Sequence, residues 1–325
     1  MLQLLDLAGI YFRAFFAVPT SMTSPDGRPV NAVRGSLDIL ARVIADARPT
    51  RVIACLDLDW RPAWRVELIP TYKTHRVLEE QSAAALAAEK ASTPHSGTPG
   101  QSTDIEVVPD ELSPQVPILL EVLAALGIAT AGAPGFEADD VIGTLAATER
   151  RDPVEVVSGD RDLLQVARDS DPRITVRYIG AGMSKAKVYG AAEVAAKYGI
   201  PAGAYADFAA LRGDPSDGLP GVAGVGDKTA ATLINRFGSV EGLVQALDGR
   251  STGLTAGMRA KLGAARDYLL VAPKVVRVAV DAPVQVEGED ALPEEPIDPG
   301  RLSELIRQHG IGGSTARLVR AMEGR

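Results

Sequence analysis

The densest group of side chains able to do chemistry is Glu137-Ala138-Asp139-Asp140, which follows Pro134-Gly135-Phe136. Acidic residues in the first turn of a helix interact favourably with the helix dipole, by about 0.3–1 kcal/mol each, so the run is compatible with a simple helix start. One carboxylate is enough for a cap, however, and three within four residues repel one another. The run is therefore a candidate for metal binding as well as for capping.

Six further aspartates stand at the ends of apolar runs or in a tight turn. They are Asp6, Asp57, Asp160, Asp162, Asp214 and Asp217. Taken one at a time, the aspartates in Ser-Gly-Asp160-Arg-Asp162 and in Gly-Asp214-Pro-Ser-Asp217 are also typical of Asx turns and helix caps. Their function depends on whether these carboxylates meet in space.

The elements that would position these aspartates alternate along the chain. Apolar runs at 2–5, 52–56 and 154–157 predict strands, and helical patterns cover 32–47, 118–126 and 138–149. This alternation indicates an α/β fold with a mostly parallel sheet flanked by helices. Because the carboxyl ends of parallel strands meet at one edge of a sheet, we expect the strand-terminal aspartates to lie together.

The second half of the chain predicts a helical region. Helical patterns cover 191–198, 202–212, 227–237, 240–247 and 255–270, and a short β-like run at 275–280 leads to two terminal helices. Before it, the stretch 92–113 is rich in Ser, Thr, Pro and Gly, which indicates a mobile flap. We expect a core at 1–185 that includes this mobile segment, at about 71–113. The region 186–325 would hold a helix–hairpin–helix at about 212–237 and a C-terminal extension.

Nine converging carboxylates would repel one another and raise several pKa values unless cations compensate the charge. The single cysteine, Cys55, and three scattered histidines exclude a typical zinc ligand set, so any metal must bind through oxygen. Oxygen ligands in an open cleft suit two or three Mg²⁺ or Mn²⁺ ions. Paired ions of this kind activate water and neutralise the leaving oxygen of a phosphodiester, so no protein base is required.

Basic and glycine-rich segments predict phosphate contacts. The cations after Asp57, with an interleaved aromatic ring, suit a nucleic-acid strand, although such a run is also typical of a solvated face. The candidate contacts of this run are the cations Arg61, Arg65, Lys73 and Arg76 and the aromatic residue Tyr72.

The loop from Gly221 to Lys228 is not a P-loop, because Asp227 separates the last glycine from the lysine. It fits a helix–hairpin–helix that binds a duplex backbone, or an ordinary helix connection. The candidate DNA contacts of this loop are Gly221, Gly224, Gly226, Lys228 and Thr229.

Taken together, these motifs resemble the bacterial flap endonuclease/5′-3′ exonuclease family, which occurs alone or as the N-terminal domain of DNA polymerase I. The resemblance extends from Met1 to about residue 247 and rests on six motifs in order. They are Leu-Leu-Asp6, Cys-Leu-Asp57, Trp64-Arg65 with Pro70-Thr-Tyr72-Lys73, Glu137-Ala-Asp139-Asp140, Ser-Gly-Asp160-Arg-Asp162, and Gly-Asp214-Pro-Ser-Asp217-Gly-Leu-Pro-Gly.

The resemblance implies a PIN-like core, a helical arch and a helix–three-turn–helix duplex clamp. It implies Mg²⁺- or Mn²⁺-dependent cleavage of DNA at 5′ flaps, nicks and 5′ ends, leaving a 5′-phosphate and a 3′-hydroxyl, and leaves open whether RNA-primed ends are substrates. All nine carboxylates would then serve the metal site, and Lys73 and Arg76 would touch the scissile phosphate. A monovalent cation at the hairpin is a further expectation.

The net charge of −8 argues against a polyanionic partner only if the acids are spread evenly. If nine of the 42 acidic residues line one site, the other 33 nearly balance the 34 basic residues. No stretch approaches about 18 uncharged apolar residues, so we expect no membrane span and no signal peptide. The expectation is a monomeric, cytoplasmic, nucleoid-associated protein.

Two other functions remain open on the sequence. A phosphatase of the haloacid dehalogenase type would use Asp57 and Asp59, with Asp214 and Asp217 at its metal site, but it leaves the 137–140 and 160–162 carboxylates without a role. A catalytically silent, structure-specific DNA-binding protein would be expected to lack some of the carboxylates.

Overall fold

The architecture is a single mixed sheet with helices on both faces. The computed structural model describes residues 1–77, 109–249 and 253–324, so most of the arch predicted at about 71–113 lies outside the described residues. The strands are β1 Leu2–Asp6, β2 Arg51–Cys55, β3 Ala129–Gly132, β4 Val154–Ser158, β5 Ile174–Tyr178, β6 Lys187–Tyr189 and β7 Gln285–Glu287.

The sheet has the order β6-β5-β4-β1-β2-β3-β7. Strands β1 to β5 are parallel, and the two edge strands, β6 and β7, are antiparallel to their neighbours. The central strands β1 and β4 are buried along their whole length. Their first four residues are apolar except for Gln3 and Glu155, which hydrogen-bond to each other, and such burial is what a sheet covered on both faces requires. The expected α/β fold with a mostly parallel sheet is confirmed.

The helices surround this sheet and continue into the second half of the chain. They are α1 Leu7–Ala17, α2 Asn31–Ala47, α3 Ala63–Leu68, α4 Gln115–Leu126, α5 Ala138–Thr148, α6 Ala191–Tyr198, α7 Tyr205–Arg212, α8 Asp227–Phe237, α9 Val240–Asp248, α10 Ala256–Ala264, α11 Arg266–Val276, α12 Pro299–His309 and α13 Gly312–Glu323.

Two apolar cores lie on opposite faces of the sheet, since alternate residues of β1 enter different cores. Leu4 packs with α5 and the helical second half, whereas Leu5 packs with α1, α2, α4 and the C-terminal helices. The last two helices therefore stabilise the first half of the chain: Leu318 and Met322 of α13 are fully buried in the same core as Leu37 of α2. The boundary predicted at residue 185 stays a prediction.

Two sequence-based assignments are wrong. The β-like run at 275–280 instead begins inside helix α11, which continues to Val276 despite Pro273, because Leu269, Ala272, Val275 and Val276 bury one helical face. The helix predicted at 255–270 is two helices, which meet at Ala265. The strand in this region is β7, which follows later and pairs with β3. No helix in the described ranges combines the length and apolar character needed to cross a bilayer.

Candidate metal and DNA site

Acidic residues follow the carboxyl ends of four neighbouring strands. In the sheet order β4-β1-β2-β3, Asp6 ends β1, Asp57 lies two residues beyond β2, and Asp160 lies two residues beyond β4. Helix α5, which carries Glu137 and Asp139 at its start, follows β3. The parallel direction of these four strands places all these side chains at the same edge of the sheet, as the sequence predicted.

The Asp6 carboxylate is fixed by bonds to two neighbouring segments. It caps α1, and its Oδ1 accepts a hydrogen bond from the backbone N–H of Gly9 at 2.8 Å. Its Oδ2 accepts one from the Ser158 hydroxyl at 2.7 Å, across the β1–β4 pair. Ser158 also accepts from the Asp160 backbone N–H, so one hydroxyl orders two acidic segments. Neither Ser158 nor Gly9 was predicted as a site residue, although Ser158 stands in the motif that contains Asp160.

A first acidic group consists of Asp6, Asp57, Glu137, Asp139 and Asp160. The pKa of Asp139 is well above its ordinary value, firstly because of burial and secondly because of the negative charges of the other four members. The pKa of Asp57 rises to about 7, again chiefly by desolvation of its carboxyl, although the residue as a whole is exposed. Its Oδ1 accepts from the Ala138 backbone N–H at 2.6 Å. Each carboxylate of this group is thus within electrostatic range of Asp139.

A second acidic group consists of Asp160, Asp162, Asp214 and Asp217. Burial raises the pKa of Asp162 far above its ordinary value, and the charges of the other three members raise it further. The pKa of Asp217 rises to about 6, mainly by burial. Asp160 belongs to both groups, since its charge acts on Asp139 as well as on Asp162 and Asp217. The Oδ1 atom of Asp162 is buried and lacks a hydrogen-bond partner among the described residues, which is costly for a carboxylate.

Asp140 is built into the protein interior, contrary to its predicted role as a metal ligand. It is fully buried, and both of its oxygens are engaged by Arg65, at 2.7 and 2.8 Å. The backbone N–H groups of Glu137 and Ala279 donate to it as well. Four donors saturate one carboxylate, so Asp140 has no capacity left for a cation.

Three of the predicted DNA contacts are also buried, which corrects their assignment. Arg65 is 2% exposed and Tyr72 3% exposed, and both donate to Glu137 Oε2, at 2.6 and 2.7 Å. Arg61 is 6% exposed and donates to the backbone oxygens of Tyr72 and Pro70. The basic run was interpreted as a phosphate-binding face because sequence alone does not distinguish a buried guanidinium from a solvated one.

Lys73 and Arg76 are more exposed than Arg65, and each pairs with one of the acidic groups. The Lys73 ammonium forms an ion pair with Glu137 Oε1. Burial alone would lower the pKa of Lys73, but the charges of Glu137 and other acidic neighbours raise it well above its usual value. Arg76 lies 3.6 Å from Asp217, with about a third of its side chain exposed. Lys73 and Arg76 therefore bring positive charge to the rim of an acidic cleft.

The acidic groups fit a hard divalent cation, although they are not preassembled. In the part of the chain that the structure describes, no three His, Cys, Asp or Glu side chains are arranged as ligands of one metal ion. The donors are nevertheless oxygens only, the buried Asp162 Oδ1 is unsatisfied, and like charges raise several pKa values. A divalent cation would relieve both conditions, since it coordinates carboxylate oxygens and compensates their charge.

The glycine-rich hairpin is formed as a loop between two helices. Helices α7 and α8 are joined by 213–226, and the Val222 backbone N–H donates to the Leu211 carbonyl at 2.9 Å. Gly226 precedes α8, and Gly224, Gly226 and Lys228 are exposed, whereas Gly221 and Thr229 are half-buried. Exposed backbone N–H groups at the start of a helix, next to a lysine, suit a phosphate. The five predicted contacts of this loop therefore remain predictions that the geometry permits.

The fold and the cleft define a class of protein, a nuclease of PIN-like architecture with a helical C-terminal region. The comparison with family models agrees with this class. The model of the 5′-3′ exonuclease N-terminal, resolvase-like domain matches residues 1–199, and that of the 5′-3′ exonuclease C-terminal SAM fold matches residues 200–299. The chain belongs to the 5′-3′ exonuclease family of enzymes.

Individual relatives support this membership. A 5′-3′ exonuclease of Mycobacterium tuberculosis is 54% identical over 327 residues, which cover 99% of this chain and 98% of the relative. The DNA polymerase I of the same organism is 39% identical over 264 residues, or 80% of this chain and 26% of the polymerase. Among solved structures, the T5 D15 protein co-crystallised with metal ions matches with a TM-score of 0.62 and 14% identity, over 99% of this chain and 97% of that one. The last similarity supports the fold alone.

Proposed function

We propose that the chain is a structure-specific 5′ nuclease that hydrolyses DNA phosphodiesters at 5′ flaps, nicks and 5′ ends, in replication and repair. The observation that carries the proposal is the pair of acidic groups, joined through Asp160, at the carboxyl edge of the sheet beside Lys73 and Arg76. The chain depends on divalent metal ions and binds DNA. We propose Mg²⁺ or Mn²⁺ for the metal, since both favour oxygen ligands and retain positions for phosphate.

Different residues bind the metal ions and the scissile phosphate. Two ions would be held by the two acidic groups, with Asp160 shared between them, and Asp140 would not be a ligand. When bound, such ions supply an activated water and neutralise charge on the leaving oxygen. Lys73 and Arg76 hold the scissile phosphate, and their positive charges offset the repulsion between the strand and the acidic cleft. The cut leaves a 5′-phosphate and a 3′-hydroxyl.

The helical hairpin holds the duplex next to the cleft. Gly221, Gly224 and Gly226 let a phosphate approach backbone N–H groups, and Lys228 and Thr229 supply a charge and a hydroxyl at the start of α8. Contacts of this kind position a duplex without reading its sequence. We further propose a monovalent cation at this hairpin, a monomeric protein, and a cytoplasmic location at the nucleoid.

The test uses a DNA duplex with a labelled 5′ flap, cut by the full-length protein in Mg²⁺ or Mn²⁺ and in chelator. We expect cleavage that disappears on chelation and returns with either ion. The double variant Asp160→Ala plus Asp162→Ala should lower the rate at least about 10³-fold, because it removes the shared and the unsatisfied carboxylate together. Cleavage that persists in chelator or in this variant would refute the proposal.

Asp59 separates the proposal from the phosphatase alternative. The Asp59 side chain is buried and accepts from the Arg61 backbone N–H at 3.2 Å, as a turn residue does. Asp59→Ala should therefore leave most of the flap cleavage intact, whereas a phosphatase that uses Asp59 would be inactivated. Tight flap binding by the unchanged protein without cleavage in either metal would instead support the silent DNA-binding alternative.

A further inference from the structure

Arg65 lies at the centre of a buried ionic cluster beside the acidic groups. Its Nη1 donates to Glu137 Oε2 at 2.6 Å and to Asp140 Oδ2 at 2.7 Å, and its Nη2 donates to Asp140 Oδ1 at 2.8 Å. One guanidinium therefore binds both ends of the first turn of α5. The planar guanidinium of arginine can donate hydrogen bonds to two carboxylates at once in this geometry, whereas a lysine ammonium cannot.

The orientation of Arg65 is itself fixed from three directions. Its Nε donates to the Val275 carbonyl of α11 at 2.9 Å, its guanidinium lies 4.4 Å from the centre of the Trp64 ring, and its backbone belongs to α3. The side chain is 3% exposed, so it makes these contacts rather than contacts with solvent. Arg65 thereby connects the helical second half of the chain to the start of α5.

Glu137 is the carboxylate that this arrangement holds in place. Its Oε2 accepts from Arg65 and from the Tyr72 hydroxyl, while its Oε1 faces Lys73 at the cleft. Asp140 holds Arg65 in turn, with both oxygens, and accepts from the backbone N–H of Glu137 itself. The hydrogen bonds that Arg65 and Tyr72 donate to Oε2, on the buried side of the carboxylate, thus fix the rotamer of Glu137.

We propose that Arg65, together with Asp140, is a positioning residue that orients Glu137 for divalent-metal binding and does not contact DNA. The proposal rests on the metal-dependent function proposed above. Partners that orient metal ligands typically contribute about 10- to 100-fold to metal affinity. Arg65→Gln should therefore weaken Mn²⁺ binding by about that factor and leave the affinity for flap DNA, measured in chelator, within about twofold of the unchanged protein.

The matched control is Arg51, a second nearly buried arginine that binds several carboxylates. It pairs with Glu149, Asp152 and Asp290, at the opposite end of the parallel strands from the acidic groups. Arg51→Gln should lower the thermal midpoint as Arg65→Gln does, because each removes the arginine partner of a buried carboxylate, Glu149 in one case and Asp140 in the other. It should not change the affinity for Mn²⁺. This comparison separates a general loss of stability from a loss of positioning.

The experiment measures Mn²⁺ binding calorimetrically on each full-length metal-free protein, and flap-DNA binding in chelator. Mn²⁺ affinity lost in Arg65→Gln but retained in Arg51→Gln, with DNA affinity unchanged, is the expected result. Equal Mn²⁺ affinity in the two variants, or a loss of DNA affinity confined to Arg65→Gln, would overturn the role of Arg65. Absence of Mn²⁺ binding by the unchanged protein would overturn the proposed function itself.

If Arg65→Gln does not fold, Arg65→Lys is the second variant that tests the role of Arg65. It retains the charge but replaces the two-pronged grip with one ammonium, so Mn²⁺ binding should weaken at least about threefold. Full Mn²⁺ affinity in a folded Arg65→Lys protein would overturn the positioning role.

Discussion

Adjacent carboxylates in this protein have different chemistry because their neighbours differ. Asp140 accepts hydrogen bonds from an arginine and two backbone N–H groups, whereas burial and then the surrounding like charges raise the pKa of Asp139. Asp162 is buried among acidic residues with one oxygen unsatisfied. The carboxylates that gain from a cation are therefore those that lie among other acidic groups, whereas Asp140, whose oxygens face hydrogen-bond donors, does not need one.

The raised pKa values predict how metal binding depends on pH. Burial places the pKa of Asp217 at about 6 and that of Asp162 well above its ordinary value, so the metal-free folded protein holds protons that the unfolded chain has lost near pH 4. These groups therefore favour folding at low pH, and that contribution is lost as pH rises through about 6 and above. Mn²⁺ must displace the same protons, so its stabilising effect should increase over that interval.

Thermal unfolding at pH 5.5 and 7.5, with and without Mn²⁺, measures this dependence. The increase in the thermal midpoint caused by Mn²⁺ should be larger at pH 7.5. Asp162→Asn should raise the midpoint of the metal-free protein at pH 7.5 and reduce the response to Mn²⁺. A response to Mn²⁺ that is equal at both pH values would contradict the assignment of these carboxylates to the metal site.

Gly9 tests how closely Asp6 must be held. A β-carbon at this position would collide with the Asp6 carboxylate, which accepts a hydrogen bond from the Gly9 backbone N–H. Gly9→Ala should displace Asp6, weaken Mn²⁺ binding about tenfold and cost about 1–3 kcal/mol of unfolding free energy. Mn²⁺ calorimetry and urea unfolding measure the two effects.

The control for that variant is Gly257→Ala in α10, where a β-carbon would meet nothing within 4 Å. It should stabilise the protein by up to about 1 kcal/mol, because alanine is the better helix former. Mn²⁺ affinity in Gly9→Ala that equals the affinity in Gly257→Ala would show that the position of Asp6 does not matter.

At the scale of elements, the strand ends bring the acidic residues together, and this much the sequence could predict. The mainly apolar strands β1, β2 and β4 each end in an aspartate or precede one by two residues, so their direction and neighbourhood follow from the α/β pattern. Strand β3, Ala-Thr-Ala-Gly, is not such an apolar run. Strand β7 is only three residues long, and all three are exposed. Their membership in the sheet depends on pairing with partners that are distant in sequence.

The interior positions of Arg61, Arg65 and Tyr72 could not be predicted from the sequence. An arginine is normally exposed, and its burial here depends on carbonyl and carboxylate groups supplied by segments as distant as Val275 and Glu137. The helical end of α11 was likewise interpreted as a strand, because valines favour strands unless a helical face is buried.

The turn around Gly218 connects the second acidic group to Lys73. Gly218 has a φ of +70°, a β-carbon there would collide with the Thr71 carbonyl, and the Lys73 backbone N–H donates to the Asp217 carbonyl at 3.0 Å. Gly218→Ala should shift Lys73 and Asp217 together and lower the flap-cleavage rate at least about tenfold, since misplaced phosphate contacts are costly.

Gly199→Ala is the matched control, since Gly199 has nearly the same φ, +69°, and a β-carbon there would meet nothing within 4 Å. It should cost about 1 kcal/mol of stability from the left-handed backbone and retain the cleavage rate. Rates that fall equally in the two variants would refute the connection between Gly218 and Lys73.

At the scale of the whole molecule, the C-terminal residues pack back against the first half of the chain. Strand β7 pairs with β3, and α13 packs against α2, so the C-terminal residues complete the core of the first half. The net charge of −8 is compatible with a DNA partner, because nine acidic residues belong to the segments around the cleft.

Leu318 of α13 tests this packing. It is fully buried in the core shared with α2, so Leu318→Ala should cost about 2–5 kcal/mol of unfolding free energy. Leu270→Ala, at an exposed leucine of α11, should change it by less than about 0.5 kcal/mol. Urea unfolding compares the two variants, and equal stabilities would contradict the packing of α13 as part of the core.

The position of the metal is the most direct test of the account. Crystals of the full-length protein soaked in Mn²⁺ should give anomalous diffraction peaks within about 2.5 Å of carboxylate oxygens from the two acidic groups, with Asp160 beside them. No peak should lie next to Asp140. A protein that cleaves flap DNA in Mn²⁺, but shows its only peaks away from these carboxylates, would contradict the central claim.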